Sequence, residues 1–254
     1  MGKGGGSRGR PGRSGRDASA RRPAKAGARP APKSSTAKPR PKQKPVPPAP
    51  ALEPAPPSGP FRLGAVPGAT PGKWIDAWHD RMPGVEFELI PVAAADQRRA
   101  LVDGEVDAAL VRLPLHGDAF HVIALYDEVP VVVTAADSHL TAADELSSAD
   151  LAGEILIIPA DDVLGIRIPG TVAPAFAPPA DTGEAIATVA AGVGIVVVPM
   201  SLARLHRRKD VEYRPLRDGP TSRVALAWVA ERTTASVETF IGIVRGRTEN
   251  SSRA

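Results

Sequence analysis

Residues 190–199 read Ala-Ala-Gly-Val-Gly-Ile-Val-Val-Val-Pro, and this stretch decides the fold class of the chain. Its two glycines end a predicted helix that is capped by Asp181 or Thr182, with Glu184 near the third helical position. The apolar run that follows does not alternate, which is typical of a strand buried on both faces of a sheet. A helix that leads directly into such a strand predicts an α/β fold.

Upstream of this stretch, apolar strands alternate with short helices. The predicted strands lie at 61–66, 85–92 and 107–113, and the predicted helices begin after Thr70 and Asp96. Thr70 is expected to be the N-cap of the first helix, because Pro71 is well tolerated at the first helical position. This order of elements predicts a doubly wound α/β lobe.

Later elements predict a second lobe and a return to the first. They are strands at 120–125 and 128–134, a helical turn at 147–151, strands at 154–158, 211–215 and 224–228, a helix at 200–208 capped by Ser201, and a closing helix at 236–245. The crossing into the second lobe is expected within 129–133. The Pro- and Gly-rich stretch 159–180 predicts neither a helix nor a strand.

Residues 1–60 differ in composition from the rest of the chain. They hold 14 of the 32 Lys and Arg residues but two of the 28 acidic residues, so their net charge is +12 and that of residues 61–254 is −8. They also hold 14 of the 28 prolines and no aromatic residue. Such a segment cannot bury enough apolar surface to offset the entropy of ordering, so a disordered basic tail is predicted. A short C-terminal tail is predicted at 246–254.

The charge of the N-terminal tail favours contact with phosphate groups. Non-specific nucleic-acid binding would use the tail's cations, among them Arg8, Arg10, Arg13, Arg16, Arg21, Arg22 and Lys25. The absence of aromatic residues argues against base stacking. A solvated linker, contact with an acidic membrane surface, and attraction to the acidic body of the chain are the alternatives.

Four segments, taken in order, resemble the effector-binding domain of LysR-type transcriptional regulators. They are residues 61–64, 104–110, 150–154, and 190–195 followed by Pro199. The resemblance covers about residues 61–245. It implies two α/β lobes joined by two crossing strands, as in type II periplasmic binding proteins, with a small ligand in the cleft between them. It also implies a homodimer in which the domains pair side by side, head to tail.

The resemblance sets the expected domain limits. Lobe one would comprise about 61–134 and 216–245, and lobe two about 135–215. The chain departs from the family in two places. The family's N-terminal helix-turn-helix and linker helix are replaced here by the basic tail, so DNA reading by a recognition helix is not expected. The stretch 159–180 stands where the family has a helix and a strand, so the second lobe looks trimmed.

Candidate ligand contacts lie where predicted strands end. Thr70, beside Ala69, starts a helix after a strand, and helix starts suit anions. Arg112 follows a buried strand and would point to the cleft rim, where a guanidinium binds carboxylates well. Its alternative role is a surface salt bridge to Asp107 or Glu128. The remaining candidates are Leu113, Thr134, Pro159 and Asp161. An anionic effector, most simply a carboxylate, is predicted.

The residue inventory argues against an enzyme. The chain has no cysteine, and its five histidines show no metal-binding spacing, so no metal, cofactor or catalytic set is predicted. Gly192-Val193-Gly194 ends a helix and lacks the third glycine of a dinucleotide motif. No signal peptide and no apolar run near the ~18 residues of a membrane span are found, so a cytoplasmic location is predicted. A solute receptor and an enzyme on the same fold remain the alternatives.

The predicted homodimer needs apolar surface outside the core. Two helix faces offer it, at Trp74/Trp78 and at Leu202/Leu205, and either pair could instead belong to the core.

Overall fold

Between residues 59 and 246, which are the residues that this computed structural model describes, the chain forms two β-sheets. The elements in chain order are β1 (Phe61–Ala65), α1 (Gly72–Arg81), β2 (Phe87–Pro91), α2 (Gln97–Val102), β3 (Ala108–Arg112), β4 (Phe120–Glu128), β5 (Pro130–Ala135), β6 (Leu156–Ile157), α3 (Thr182–Ala190), β7 (Ile195–Pro199), α4 (Met200–Leu205), β8 (Val211–Pro215), β9 (Ser222–Val229) and α5 (Ala235–Val244). The predictions for the two tails fall largely outside these residues.

The first sheet builds lobe one. Its strand order is β2-β1-β3-β9-β4, and β1 runs parallel to both β2 and β3. Parallel neighbours follow from the helical connections α1 and α2, since parallel strands need a crossover. β9 returns from the second lobe and pairs antiparallel with β3 and β4. The two-lobed α/β fold predicted from the sequence is thereby confirmed.

An aromatic cluster joins α1 and α5 to one face of this sheet. The rings of Phe61 and Trp78 stack with centroids 4.5 Å apart, and Phe240 lies 5.2 Å from Phe61. The indole of Trp78 donates a hydrogen bond to the carbonyl of Val85 at 3.2 Å. Trp78 is completely buried, so of its two predicted roles, interface surface or core, the core is the one that the structure has.

The second sheet builds lobe two and explains the stretch 190–199. Its order is β6-β7-β5-β8, with β7 antiparallel to β5 and parallel to β6. Gly194 has φ +65°, and a Cβ atom there would lie 2.3 Å from the carbonyl oxygen of Ile155. The second glycine is therefore needed because β7 begins directly against the backbone that leads into β6.

The helix starts differ in part from prediction. Asp181 caps α3 and accepts from the backbone N–H of Glu184 at 2.8 Å, as one of the two predicted alternatives has it. Thr70 is not a cap, because α1 begins one residue later and the carbonyl of Pro71 accepts the first helical bond, from Ile75 at 3.1 Å. Asp96 occupies the N-cap of α2, yet its carboxylate contacts Arg99 and makes no capping bond.

Helix α4 is shorter than predicted and Ser201 is not its cap. The helix ends at Leu205, and Pro199 occupies the N-cap position. Ser201 lies inside the helix, and its hydroxyl donates to the carboxylate of Glu128 at 2.8 Å. The side chain of Ser201, which the local sequence predicts to cap the helix, makes a tertiary hydrogen bond instead.

The boundary between the two lobes also differs from the predicted one. β5 pairs with β7 and β8, so all of it belongs to lobe two and the chain crosses at Val129, between Glu128 and Pro130. The predicted limit at residue 134 is therefore too late by the length of one strand. The return crossing lies between Pro215 and Ser222.

The stretch 159–180 carries no named helix or strand, as expected from its prolines and glycines. One isolated bridge pairs Ile155 with Val172, and Ile168 is buried in the lobe-two core. This part of lobe two is therefore held in place by isolated backbone pairing and by burial of single side chains, and not by helices or strands.

Candidate functional site

A cavity of about 560 Å³ lies where the chain crosses between the lobes. One wall is the loop before α1, another is the end of β4 with the crossing residue, and the third is α4 of lobe two. The lining residues are Gly68, Thr70, Tyr126, Asp127, Glu128, Val129, Met200, Ser201, Arg204 and Leu205. This volume is in the range of small-molecule sites, and both lobes contribute to it.

A buried ion pair lies beside this cavity. Arg112, at the end of β3, donates from one guanidinium nitrogen to the carboxylate of Glu128 at 2.8 Å, and the two side chains are 4% and 8% exposed. The same nitrogen donates to the hydroxyl of Ser222 at 2.8 Å. Glu128 and Ser222 are paired across β4 and β9, at the two points where the chain leaves and re-enters lobe one.

The other guanidinium nitrogen of Arg112 reaches the second lobe. It donates to the hydroxyl of Ser201 in α4 and to the carbonyl of Pro67 in lobe one, both at 3.1 Å. Ser201 in turn donates to Glu128 at 2.8 Å. Arg112, Glu128, Ser201 and Ser222 therefore form a closed hydrogen-bonded group, which we term the inter-lobe latch.

Gly68 allows the lobes to approach at the latch. Its φ is +86°, and a Cβ atom there would lie 2.3 Å from the hydroxyl oxygen of Ser201 and 3.3 Å from the guanidinium of Arg112. Any larger residue would have to displace a side chain that the latch holds in place.

The charges around the cavity do not cancel. Asp127 accepts two hydrogen bonds from Arg223, at 2.6 and 2.9 Å, and this contact lowers the pKa of Asp127 below its ordinary value. Glu128 is neutralised by Arg112. Arg204 has no carboxylate within salt-bridge distance in the described part of the chain, and it is exposed. Among residues 59–246, the cavity wall therefore carries one positive charge without a carboxylate partner, that of Arg204.

Two hydroxyl groups complete the polar lining. Burial, and then the negative charge of Glu128, raise the pKa of Tyr126 above its ordinary value of 10.0, so its hydroxyl is a donor at neutral pH. Thr70 makes no hydrogen bond to any residue in the range 59–246 and its side chain is exposed. Met200, Val129 and Leu205 add apolar surface.

The structure brings together only part of the set predicted from sequence. Thr70 lines the cavity, and Arg112 lies next to it in the latch. Arg112 is not a rim residue, because its guanidinium is buried and bonded to Glu128. Of the two alternatives considered for its salt bridge, the Glu128 contact is the one that forms, but in the interior and not at the surface.

The other predicted residues lie outside the cavity lining. Ala69 and Leu113 are half-buried and pack against lobe-one cores, while Thr134 and Pro159 are buried. Asp161 accepts a hydrogen bond from the hydroxyl of Thr182 at 2.9 Å. Ligand contact by these residues stays a prediction.

Sequence reasoning missed Arg204, Ser201 and Tyr126. A signal for the first two was available. They follow the buried strand β7, and residues beyond the carboxyl ends of α/β strands border ligand clefts. Arg204 lies one helical turn after Ser201, so the two share a face of α4. Tyr126 had no such signal, since its position depends on the irregularity in the pairing of β4 with β9.

Between residues 59 and 246, no cluster of His, Asp or Glu side chains could hold a metal ion. Over the same residues, no helix is long and apolar enough to span a membrane.

Sequence comparison identifies relatives among transcriptional regulators. The chain is 24% identical over 199 residues to the Hca operon transcriptional activator HcaR of Escherichia coli (strain K12), covering 73% of this chain and 67% of that protein. It is 31% identical over 153 residues to the HTH-type transcriptional regulator CatR of Pseudomonas putida, covering 56% of this chain and 52% of that protein. The chain thus spans about half to two thirds of the length of these relatives.

Solved structures share the fold. The BenM effector binding domain with its effector benzoate superposes with a TM-score of 0.62 at 22% identity, covering 74% of this chain and 91% of that one. The oxidized form of OxyR gives a TM-score of 0.60 at 24% identity, covering 76% and 98%. The model of the LysR substrate binding domain matches residues 54–249. With that match over most of its length, the chain belongs to the LysR substrate binding domain family.

Proposed function

We propose that this chain senses a small anion, most simply a carboxylate, in the inter-lobe cavity, and that it acts in transcriptional regulation. The observation that carries the proposal is the uncompensated charge of Arg204 on the wall of a cavity that both lobes form. The regulatory role is taken from HcaR, a transcriptional activator, and from CatR, a transcriptional regulator, and a cytoplasmic location is part of the proposal. Nothing in this role requires catalysis.

The size and lining of the cavity suit such a ligand. A single positive charge attracts a monoanion, the hydroxyls of Tyr126 and Thr70 can donate to its oxygens, and Met200 and Leu205 can contact an apolar body. The effector of the structurally similar BenM domain is benzoate, a monoanion with an apolar ring. This likeness supports an aromatic or similarly apolar carboxylate as the class of ligand.

The inter-lobe latch offers a way for ligand binding in the cavity to affect the arrangement of the lobes. Ser201 lines the cavity and also bonds to Arg112 and Glu128 of lobe one. A ligand that bonds to Ser201 or Arg204 therefore acts on the same helix that the latch attaches to lobe one. If the ligand binds one arrangement of the lobes more tightly than another, its binding favours that arrangement.

Replacing Arg204 by alanine should weaken ligand binding about tenfold, since one charge-assisted contact contributes about 1.5 kcal/mol at an exposed site. The measurement is calorimetric titration with benzoate and with the carboxylates that raise the melting temperature in a screen. Thr70→Val should weaken binding less and leave stability nearly unchanged, because Thr70 is not a cap.

Arg207 supplies the matched control for this prediction. It is an exposed arginine of the same segment, and it does not line the inter-lobe cavity. Arg207→Ala should leave carboxylate affinity unchanged. Equal affinity of the wild-type and Arg204→Ala proteins for every carboxylate that binds would place the ligand elsewhere.

A second function is favoured by the charge of residues 1–60. We infer that a net charge of +12 binds nucleic acid through its phosphates without sequence preference. Removing residues 1–58 should abolish DNA binding measured by fluorescence anisotropy, and binding by the full chain should fall steeply as salt rises. Undiminished binding by residues 59–254, or a sequence-specific footprint, would contradict this inference.

The predicted homodimer also stays a proposal. Four residues were considered for its interface. Leu202 and Trp78 are both buried, whereas Trp74 is half-buried and Leu205 is 55% exposed. Trp74 and Leu205 are the two that are not buried, and Leu205 also lines the inter-lobe cavity.

A further inference from the structure

A second hollow, of about 930 Å³, lies on lobe two beyond the inter-lobe cavity. Its walls are the end of α4, the loop that follows, and the edge strand β8. The lining residues are Val133, Ala203, Arg204, Arg207, Arg208, Lys209, Val211, Glu212 and Tyr213. The floor belongs to the lobe-two core, because Val133, Ala203, Val211 and Tyr213 all pack in the same cluster.

The segment that forms the rim of this hollow has a positive net charge, opposite in sign to that of residues 61–254. Residues 204–214 carry five Lys and Arg residues and two acidic residues, a net charge of +3, whereas residues 61–254 as a whole carry −8. Both acids already have partners. Asp210 accepts two hydrogen bonds from Arg208, each of 2.9 Å, and Glu212 contacts Arg214 at 3.4 Å.

Three cations are left for a ligand. Within residues 59–246, neither Arg204, Arg207 nor Lys209 has a carboxylate within salt-bridge distance or a side-chain hydrogen bond. All three are exposed and line the hollow. Like charges within residues 204–209 repel each other, and an anion of higher charge than a carboxylate would relieve that repulsion.

Local helix electrostatics account for only part of this cluster. Cations near the carboxyl end of a helix are favourable, and Arg204 occupies the last turn of α4. That effect falls off within the last turn, so it does not explain Arg207 and Lys209, which lie beyond the helix end. It also gives no reason for a concave surface that has Tyr213 among its lining residues.

We propose that this hollow binds a small phosphorylated ligand of nucleotide size, whose phosphates contact Arg204, Arg207 and Lys209 and whose ring lies near Tyr213. Guanidinium groups bind phosphate oxygens in pairs, and a lysine ammonium adds a point charge. The volume is close to the upper end of that found for small-molecule pockets. Arg204 lines both this hollow and the inter-lobe cavity, so the two ligands would share one side chain.

The test uses the melting temperature of the full chain. A ligand that binds only the folded body raises it, whereas binding to residues 1–58 is not coupled to unfolding of residues 59–246 if the tail is disordered, as its composition predicts. ADP and inorganic pyrophosphate are the two probes, each compared with sodium sulfate at equal ionic strength. At ten times the dissociation constant, the melting temperature should rise by about 3–6 °C over the sulfate value.

Paired variants make the result specific. Arg207→Ala/Lys209→Ala should remove the rise and leave the melting temperature without ligand unchanged, because neither side chain bonds to another residue in the range 59–246. Arg21→Ala/Arg22→Ala removes two charges from the tail and should leave the rise intact. At one shared probe concentration, a larger rise with ADP than with pyrophosphate supports the contact between the ring and Tyr213, and an equal or smaller rise with ADP contradicts that contact.

Either of two results would overturn the proposal. One is no rise above sulfate with both probes, and the other is a rise that persists in Arg207→Ala/Lys209→Ala. Neither result touches the carboxylate proposal, because Arg207 and Lys209 do not line the inter-lobe cavity. Carboxylate binding that survives in Arg207→Ala/Lys209→Ala keeps the two proposals separate.

Discussion

Glu128→Ala should lower the free energy of unfolding by about 3–5 kcal/mol, the range found when one partner of a buried ion pair is removed. The change leaves the guanidinium of Arg112 buried beside Ser201 and Ser222 without a counter-charge. Urea unfolding followed by circular dichroism measures the effect. For a domain of this size, a loss of that order lowers the melting temperature by roughly 6–20 °C.

The adjacent residue provides the matched control. Asp127→Ala removes a carboxylate that is also bonded to an arginine, Arg223, but both of those side chains are about half exposed. An exposed pair contributes about 0–1 kcal/mol, so this variant should unfold close to the wild type. Similar losses for Asp127→Ala and Glu128→Ala would show that burial of the latch is energetically unimportant.

A double replacement separates charge from packing. Arg112→Met/Glu128→Leu removes both charges while it retains apolar volume, so it should cost less than Glu128→Ala alone. This double variant would also remove the bond from Arg112 to Ser201, which joins the lobes. It should therefore remain folded but lose the link between ligand binding and lobe arrangement, measurable by small-angle scattering with and without the carboxylate.

Gly68→Ala should cost about 2–4 kcal/mol of stability, from strain at φ +86° and from a methyl group placed 2.3 Å from the hydroxyl of Ser201. Ser201 cannot turn away without breaking its bonds to Arg112 and Glu128. The variant should therefore also force the lobes apart at the latch and weaken carboxylate binding, since Gly68 lines the cavity. Unfolding and calorimetric titration measure the two effects.

Gly153 is the control for the backbone contribution. Its φ is also +86°, but a Cβ atom there would meet nothing within 4 Å. Gly153→Ala should cost only the strain of the left-handed conformation, about 1–2 kcal/mol, and leave ligand affinity unchanged. The excess loss in Gly68→Ala measures crowding between the lobes. If the two variants lose equal stability, the close approach of Gly68 and Ser201 does not constrain the structure.

Local patterns were sufficient to predict the elements but not all their ends. Apolar periodicity located the strands of both sheets and the helices between them, because side-chain alternation and helical spacing depend on near neighbours. Asp181 could be proposed as a cap for the same reason. Thr70 and Ser201 have the side chains of caps and do not act as caps, and for Ser201 a bond to Glu128, 73 positions away, replaces the local one.

The sequence by itself determined a two-lobed α/β chain of the LysR type and its charge division at residue 60. Only the tertiary structure decided which of Arg112 and Arg204 has a carboxylate partner among the described residues. Arg112 and Arg204 have the same side chain, but β3, β4 and β9 place a carboxylate and a hydroxyl around the first, and α4 leaves the second at the cavity wall. Pairing of charges depends on distances across the fold, and these are set by strand order and not by position in the chain.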